Sequence, residues 1–155
     1  IVVMNRGRIE QVGPPREIYQ FPASEFAARF VGQTNILPGI VLDSGYDEIM
    51  TSIGAVPCLS MRGLDFGTDA FISIRPESFA LDPEGPFQAE VRQIQYGGHF
   101  VVFLVELLEE IGRGQMLRIH AHPNRRIVVG EKIRFRIIPD FVTVIADMEI
   151  NGGGE

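Results

Sequence analysis

Residues 67–81 read GTDAFISIRPESFAL, and residues 130–144 repeat the same order of residue types as GEKIRFRIIPDFVTV. Each copy opens with a glycine, continues with apolar residues at alternate positions, reaches a proline followed by an acid, and ends in a second apolar stretch. The alternation predicts a half-buried strand. The proline ends that strand because its nitrogen has no hydrogen to donate to a neighbour. The repeat therefore predicts two related β units, each with a corner that redirects the chain.

The sequence outside the two copies also favours strands. Short apolar or alternating segments lie at residues 36–42, 48–52, 55–59, 87–92, 100–105 and 117–122. Turn signals such as Asp43-Ser44-Gly45 and Tyr96-Gly97-Gly98-His99 separate them, and the clearest linker is Pro83-Glu84-Gly85-Pro86. We expect a mainly β fold with repeat units at about residues 36–82 and 87–147, followed by a flexible tail at residues 151–155.

Residues 1–35 follow a different pattern. Two apolar runs, Val2 to Met4 and Ile9 to Val12, flank a polar turn that contains Gly7, which predicts a β-hairpin. The Pro14-Pro15 pair favours the first turn of a short helix, and Ser24 is a good N-cap for a second one. We therefore expect a hairpin and two short helices ahead of the β units.

Residues 3–19 contain the order Val-Met-Asn-x-Gly-x-Ile-x-Gln-x-Gly-x-Pro-x-Glu-Ile-Tyr, and residues 22–35 contain Pro-Ala-x-x-Phe-x-Ala-x-Phe-x-Gly-x-x-Asn. Residues 2–37 as a whole resemble the end of the ATP-binding subunit of bacterial ABC importers for sugars, polyamines, ferric iron, sulfate or molybdate. In that family the segment completes the ATPase domain and leads into an accessory β domain called TOBE. Ile74-Arg75-Pro76-Glu77 and Val129-Gly130-Glu131-Lys132 also resemble the TOBE family.

This resemblance implies an OB-like barrel, with residues 1–35 as the tail of the ATPase domain and residues 36–150 as the TOBE domain. It implies a non-catalytic accessory, regulatory and dimerisation role in a subunit whose complete form couples ATP hydrolysis to solute import. The implied partners are a second copy, the ATPase domain and the membrane-spanning permease subunits. That places the chain in the cytoplasm, peripheral to the inner membrane. ATP and Mg²⁺ are expected in the complete subunit and not in this chain.

Composition narrows the classes of function. The 155 residues are 45% hydrophobic, which is sufficient for one domain or two small ones. The net charge of -6 disfavours nonspecific binding to nucleic acid or to an anionic membrane. A single cysteine, Cys58, excludes an intramolecular disulfide and fits a reducing compartment. The chain starts at Ile1 and not at methionine, so we expect it to be a piece of a longer product.

The sequence contains no Gly-x-x-x-x-Gly-Lys-Ser/Thr motif and no Gly-Lys pair at all. A P-loop needs backbone N–H groups and a lysine to hold the phosphates of a nucleotide. The signature motif, the Walker B acid and the switch histidine of the importer family are missing as well. We therefore expect the chain alone to be no enzyme and to bind no cofactor.

The first corner carries a candidate contact residue. Arg75 either anchors a carboxylate across an interface or holds the corner locally together with Glu77. The second corner favours the local role, because Ile138 stands where the first corner has Arg75. The candidate interface or corner residues are Arg75, Pro76, Glu77, Pro139 and Asp140.

A basic face is predicted on the second unit. Its candidate residues are Lys132, Arg134 and Arg136, with Arg118, Arg125 and Arg126 as additions. Some relatives bind molybdate in such domains, so the face is a candidate oxyanion site, together with Thr34 and Asn35. OB-like barrels also bind oligonucleotides, but stacking aromatic residues are lacking on this face, and we expect no nucleic acid.

A module that senses a metal substrate is a further alternative. His120 and His122 share one face of a predicted strand. Two ligands are fewer than a metal site usually has, and Arg118 on the same face repels cations. We therefore expect no metal site at these histidines.

The hairpin and helices at the start of the chain also need cover for apolar side chains. In the importer family this segment packs on the ATPase core. We expect Val2, Val3, Phe26 and Phe30 either to pack against a partner chain or to be poorly ordered.

Overall fold

The computed structural model of the chain describes residues 1–43 and 47–146. Its first elements are β1 (Val2–Asn5), β2 (Arg8–Val12), α1 (Pro15–Gln20) and α2 (Glu25–Val31). The predicted order of a hairpin and two short helices is confirmed. The hairpin turn places Arg6 and Gly7 at φ values of 47° and 80°, the left-handed combination that matches the twist of two-residue hairpins. The Ser24 hydroxyl caps α2 by accepting a hydrogen bond from the Ala27 N–H at 3.1 Å.

Ten further strands follow. They are β3 (Asn35–Val41), β4 (Glu48–Thr51), β5 (Gly54–Pro57), β6 (Asp69–Ile74), β7 (Phe79–Leu81), β8 (Phe87–Tyr96), β9 (Val101–Leu107), β10 (Met116–Ala121), β11 (Lys132–Ile137) and β12 (Val142–Ala146). One turn of 3-10 helix forms each corner, at Pro76–Ser78 and at Pro139–Phe141. Part of the predicted turn at residues 43–45, the end of the second unit and the predicted tail at residues 151–155 lie outside the described residues.

The ten strands form two five-stranded antiparallel sheets. The first sheet has the order β12-β6-β3-β4-β5 and the second has the order β10-β9-β8-β11-β7. Strands β3 to β6 of the first sheet thus correspond, one by one, to β8 to β11 of the second. The mainly β fold with two related units is confirmed. No helix in residues 1–43 or 47–146 is both long and apolar enough to cross a membrane.

The last strand of each unit belongs to the sheet of the other unit. Strand β7 follows the first corner and pairs with β11, whereas β12 follows the second corner and pairs with β6. The registers agree, since Phe79 lies opposite Ile137 just as Val142 lies opposite Ile74. A pseudo-twofold relation therefore connects the units, and neither sheet is complete without a strand from the other.

The two corners contact each other through equivalent backbone hydrogen bonds. The Arg75 N–H donates to the Phe141 carbonyl oxygen at 3.2 Å, and the Ile138 N–H donates to the Ser78 carbonyl oxygen at 2.7 Å. Arg75 and Ile138 occupy the same place in the repeat, as do Ser78 and Phe141. The contact between the corners therefore follows the same pseudo-twofold relation as the strand exchange.

The inward-facing side chains of both sheets form one continuous hydrophobic core. Phe135 on β11 lies at the meeting point of the two units. Its ring is packed edge-on against Phe79 at a centroid distance of 5.5 Å and stacks on Phe87 at 5.3 Å. Because Phe79 comes from the first unit and Phe135 from the second, the exchanged strand contributes directly to the core of the other unit.

Residues 1–31 have a small core of their own. Val3, Ile18 and Ala27 are fully buried there, and Phe26 packs partly against them. The expectation that Val3 and Phe26 need a partner for cover is therefore wrong, because α1 and α2 fold over the inner face of the hairpin. Val2 and Phe30 remain exposed.

Candidate functional site

The junction between residues 1–33 and the β units is organised around Arg75. This side chain is only 1% exposed, although it carries a full charge. Its guanidinium donates to the carbonyl oxygens of Ala28 (2.8 Å), Gly32 (3.1 Å) and Gln33 (3.2 Å) through Nη1 and of Tyr19 (3.1 Å) through Nη2. These acceptors lie at the ends of α1 and α2. The arginine thus satisfies carbonyl groups that the short helices leave without a partner.

Tyr19 completes the junction from the side of the helices. Its ring lies under the Arg75 guanidinium at 4.3 Å and packs edge-on against Phe141 at a centroid distance of 6.0 Å. Its hydroxyl donates to the Glu77 carboxylate. Residues from α1 and from both corners therefore meet at one point. Gly32 permits this approach, because a Cβ there would lie 3.3 Å from the Tyr19 ring.

Burial sets the electrostatics of the junction. It lowers the pKa of the Arg75 guanidinium, with nearby Tyr19 and Glu77 acting in the opposite direction. Burial, reinforced by the hydrogen bond to the Glu77 carboxylate, raises the pKa of Tyr19 to about 12. The tyrosine therefore stays protonated at neutral pH and remains a donor to Glu77.

The local role predicted for Arg75 is wrong, because its side chain leaves the corner and binds the helices. The acceptors are also backbone carbonyls and not the carboxylate of the alternative prediction. Pro76 is buried within the corner, Pro139 is half-buried and Asp140 is exposed. Ile138, the counterpart of Arg75, is 39% exposed and meets no such cluster. The guanidinium contact to the backbone of the N-terminal segment is thus made by the first corner, whereas the second corner contributes the Phe141 ring.

A second arginine, which the sequence did not single out, also ties the segment to the β units. Arg62 donates from Nη1 to the Pro22 carbonyl oxygen at 2.9 Å and from Nη2 to the Phe21 carbonyl oxygen at 2.7 Å. It lies in the loop between β5 and β6 at a φ of 54°. The residue pattern around Arg62 does not predict this contact, because both acceptors are backbone atoms that are distant in sequence.

Thr34 and Asn35 are bound within the chain. The Thr34 hydroxyl lies 2.8 Å from the Ser73 hydroxyl, and the Asn35 amide donates to the Arg118 carbonyl oxygen at 2.9 Å. The Arg118 N–H donates back to the Asn35 Oδ1 at 2.7 Å. Asn35 thus joins β3 to β10 in the manner of an extra strand pair. Its side chain has a structural partner on both its oxygen and its nitrogen.

The predicted basic face is divided by the strand order. Strands β9 and β8 lie between β10, which carries Arg118, and β11, which carries the other three residues. Arg136 forms an ion pair with Asp82. Arg134 donates from Nε to the Gly85 carbonyl oxygen at 3.3 Å, and Lys132 lies opposite Glu90. The grouping of Arg118 with the β11 residues is therefore wrong.

A groove of about 730 Å³ lies where β11 begins. We call it the basic groove. It is lined by the cationic residues Arg125, Arg126, Lys132 and Arg134, the acidic residues Asp82 and Glu131, and apolar residues that include Leu81, Ile127 and Ile133. The structure thus brings four of the six predicted basic residues together in one concave surface.

The histidines occupy different surroundings. His120 lies between the Phe100 ring, at a centroid distance of 4.5 Å, and the Glu77 carboxylate, 3.9 Å from its Nδ1. Burial lowers the pKa of His120, and the Glu77 charge opposes this shift. His122 follows the end of β10 and is exposed. Within the described part of the chain, no three His, Cys, Asp or Glu side chains are grouped as a metal would require.

The outer faces of the two sheets differ in chemistry at equivalent positions. On the first sheet, Ile40 lies beside Asp69 on one neighbouring strand and Met50 on the other. On the second sheet, Glu90 lies in the same way between Lys132 and Glu106. Arg92 forms ion pairs with both glutamates. The first sheet therefore presents an apolar outer face, with Ile40 48% and Met50 44% exposed, where the second presents charges.

The family model for the TOBE domain matches residues 72–145, which include both corners and the exchanged strands. The cytoplasmic molybdate-binding protein ModG, in a crystal form with molybdate bound, superposes with a TM-score of 0.54 at 15% sequence identity, over 72% of this chain and 95% of that one. At that identity the likeness concerns the fold alone, and it shows that the two β units form an OB-like arrangement.

Sequence relatives are import ATP-binding proteins. The spermidine/putrescine import ATP-binding protein PotA 2 of Pseudomonas aeruginosa is 33% identical over 135 residues, which are 81% of this chain and 37% of that protein. The Fe(3+) ions import ATP-binding protein FbpC 1 of Rhizobium meliloti is 36% identical over 109 residues, 68% of this chain and 31% of that protein. The PotA protein of Desulfitobacterium hafniense is 29% identical over 148 residues, 94% of this chain and 39% of that protein.

The chain thus spans about a third of the length of these curated relatives. The resemblance noted in the sequence is confirmed by both kinds of match. The chain is a relative of the ATP-binding subunits of bacterial ABC importers, and its residues 72–145 form a TOBE domain.

Proposed function

We propose that the chain is a non-catalytic accessory and dimerisation module of an importer ATP-binding subunit. Residues 1–35 are the tail of the ATPase domain and residues 36–150 are the accessory domain. ATP and Mg²⁺ are bound by the ATPase domain of the complete subunit, which drives solute import through membrane-spanning permease subunits. The module works in the cytoplasm, at the inner membrane.

The observation that carries this proposal is the Arg75 junction. One buried guanidinium binds carbonyl groups from both helices, and Tyr19 of α1 contacts both corners through Glu77 and Phe141. Charge-assisted hydrogen bonds of this kind hold two bodies in a fixed relative orientation. A displacement of the N-terminal segment therefore moves the β units with it, which is the mechanical property that an accessory module of a moving ATPase needs.

The proposed dimer contact is the apolar outer face of the first sheet. Ile40, Met50 and Phe71 line a groove of about 570 Å³ on this face. The corresponding positions of the second sheet carry Glu90, Glu106 and Arg134, so the fold itself does not require apolar residues there. Apolar side chains kept at exposed positions are typical of a surface that a partner covers. A second copy of the chain is the partner that we propose.

Sedimentation equilibrium of the 155-residue chain tests the dimer. We expect a dimer for the wild type and a monomer for the double variant Ile40→Glu/Met50→Glu, which gives the first sheet the charges of the second. The double variant Val128→Glu/Val129→Glu is the matched control, because it changes the same charge at two other exposed apolar residues. It should remain a dimer. A monomeric wild type, or equal dissociation of both variants, would contradict the proposed contact.

The same preparations test the non-catalytic role. We expect the chain to show neither saturable ATP binding in a titration nor release of phosphate above the buffer rate. ATP turnover that co-elutes with the purified chain would contradict the accessory role, whether or not the chain is a dimer.

The oxyanion or metal-sensing alternative is less well supported at the start of β3. There, the Asn35 amide and carbonyl are already bonded to the Arg118 backbone, and the Thr34 hydroxyl lies against Ser73. A ligand at these two residues would have to break bonds that join β3 to β10 and to β6.

A further inference from the structure

The basic groove contains a surplus of unpaired cations. Within residues 1–43 and 47–146, none of Arg125, Arg126, Lys132 and Arg134 forms an ion pair with a carboxylate. Arg136, on the same strand but outside the lining of the groove, does have such a partner in Asp82. The charges that face the groove are therefore available to a ligand.

Both acids of the groove are already engaged. Asp82 accepts hydrogen bonds from Arg136 and from the Glu84 N–H, the latter at 2.8 Å. The backbone bond and Arg136 hold the pKa of Asp82 below its ordinary value. Glu131 accepts the Val128 N–H at 3.0 Å. The lining thus carries four cations and two carboxylates, and among the described residues neither carboxylate forms an ion pair with any of the four cations.

The fold does not require this arrangement. On the first sheet, Asp69 and Phe71 occupy the strand positions that correspond to Lys132 and Arg134. The two strands share their register, but only the strand of the second sheet carries cations at these positions. Since the chain as a whole carries a net charge of -6, a local group of four unpaired cations is also not a consequence of composition.

We propose that the basic groove binds a small organic phosphate. Arginine forks bind phosphate oxygens in pairs, and the groove offers three arginines and one lysine. Its volume is in the range of small-molecule sites. Leu81, Ile127 and Ile133 give it an apolar wall, which suits a ligand with a carbon body and not a bare inorganic oxyanion. This site is independent of the dimer contact, because it lies on the other unit.

The test uses the full 155-residue chain with fructose 1,6-bisphosphate as the probe, in isothermal titration calorimetry and in thermal unfolding. Fructose and sodium sulfate at equal ionic strength are the comparison compounds. We expect the bisphosphate to bind saturably and to raise the unfolding temperature, since a ligand of the folded state stabilises it. Fructose should not bind, and sulfate should give a smaller shift.

The double variant Arg125→Ala/Arg126→Ala removes two cations from the loop that borders the groove. We expect its affinity for the bisphosphate to fall about tenfold or more, because charge-assisted hydrogen bonds to phosphate are lost. Lys132→Ala, on the strand side of the groove, should weaken binding as well. Arg8→Ala/Arg113→Ala changes the net charge equally at exposed sites outside the groove, and it should bind within about twofold of the wild type.

Four outcomes overturn the proposal. The first is the absence of saturable binding, and the second is a rise of the unfolding temperature in sulfate equal to that in the bisphosphate at the same ionic strength. The third is an equal loss of affinity in the Arg8→Ala/Arg113→Ala control. The fourth is a higher affinity for a single-stranded oligonucleotide than for the bisphosphate. The second and third would reveal a general counter-ion effect. The last would assign the groove to nucleic acid.

Discussion

The two β units have the same frame and opposite outer surfaces. Strand order, register, corner and inward-facing residues correspond from one unit to the other. The outer row of the first sheet is apolar at Ile40 and Met50, whereas the second sheet has Glu90 and Glu106 at these places. The residues that are repeated in both copies therefore determine the fold. The residues that differ between the copies are the ones available for contacts outside each sheet.

The corners follow the same rule. Both keep the proline, the acid and the reciprocal backbone hydrogen bonds. Only the first corner adds Arg75, which reaches the helices, and the second has the half-exposed Ile138 in its place. The two corners are therefore equivalent as turns and different as contact sites.

The largest expected effect concerns the shared core. Phe79→Ala in β7 removes a buried ring that packs against Phe135 of the other unit, and we expect it to lower the free energy of unfolding by about 3–5 kcal/mol. Urea unfolding measures the loss, and hydrogen exchange localises it. We expect amides of β11 and β3 to lose protection together, in one transition.

Phe66→Ala is the control for this variant, because Phe66 is exposed, and it should change the free energy by no more than about 0.5 kcal/mol. Rapid exchange confined to β3–β6, with β8–β11 fully protected, would show that the units unfold independently. That result would refute the role assigned to the strand exchange.

The second-largest effect is expected when the residues that distinguish the two corners are exchanged. Arg75→Ile places the residue of the second corner in the first, and we expect a loss of about 3 kcal/mol or more, because buried carbonyl groups lose charged donors. Ile138→Arg is the reciprocal variant, and it should alter the free energy of unfolding by less than about 1 kcal/mol, since no carbonyl cluster surrounds it. Urea unfolding at pH 7 compares the two. Equal losses of free energy of unfolding in the two variants would mean that the contacts of Arg75 with the helices do not stabilise the fold.

Arg75→Lys sharpens the same comparison. One ammonium group cannot reproduce the planar fork that reaches α1 and α2 together, so we expect only partial recovery of the stability lost in Arg75→Ile. Proteolysis near residues 33–35 offers a second readout. Cleavage there should increase in Arg75→Ile and remain at the wild-type rate in Ile138→Arg.

A smaller effect is expected at alkaline pH, where the Tyr19 hydroxyl of the junction loses its proton. The pKa of Tyr19 rises from 10.0 to about 12 on folding, so the unfolded chain releases this proton first as the pH increases. The stabilising contribution is complete below pH 10 and is lost as the pH rises towards about 12. In Tyr19→Phe the free energy of unfolding should fall less steeply over this interval. Burial also raises the pKa of Cys58 to about 12, but this acts equally in both proteins. Parallel pH profiles would contradict the assignment.

The smallest effect concerns the charged outer row of the second sheet. Arg92→Ala leaves Glu90 and Glu106 directly opposite each other, and like charges at such positions are unfavourable. We expect a small decrease of the unfolding temperature at low salt, which disappears in about 1 M salt because exposed charges are then screened. A decrease that persists at high salt would instead indicate a loss of packing.

The frame of the fold could be predicted from the sequence because alternation and proline act locally. Ile133, Phe135 and Ile137 face the core as the alternation requires, and both corners form where the prolines stand. The exchange of β7 and β12 could not be predicted in this way, because alternation specifies which face of a strand is buried and not which strand lies beside it. The grouping of Arg118 with β11 failed for the same reason.

The junction was missed for a different physical reason. Arg75 binds backbone carbonyl oxygens, which every residue carries, so the residue types at positions 19, 28, 32 and 33 do not mark them as its partners. The burial of Arg75 could not be foreseen either, since arginine side chains are mostly exposed in folded proteins. The sequence carried one usable signal, namely that Arg75 breaks an otherwise close correspondence with the second corner.

The late position of β12 has a consequence for synthesis on the ribosome. Strand β6 is complete long before β12 leaves the exit tunnel, and at ordinary elongation rates the delay is on the order of seconds. During that interval one edge of the first sheet has hydrogen-bonding groups with no strand beside them, which is a hazard for intermolecular pairing. The first sheet of the nascent polypeptide therefore cannot be completed until β12 has been translated. A pause within β11 would prolong the exposure of the free edge of β6 to chaperones and to neighbouring chains.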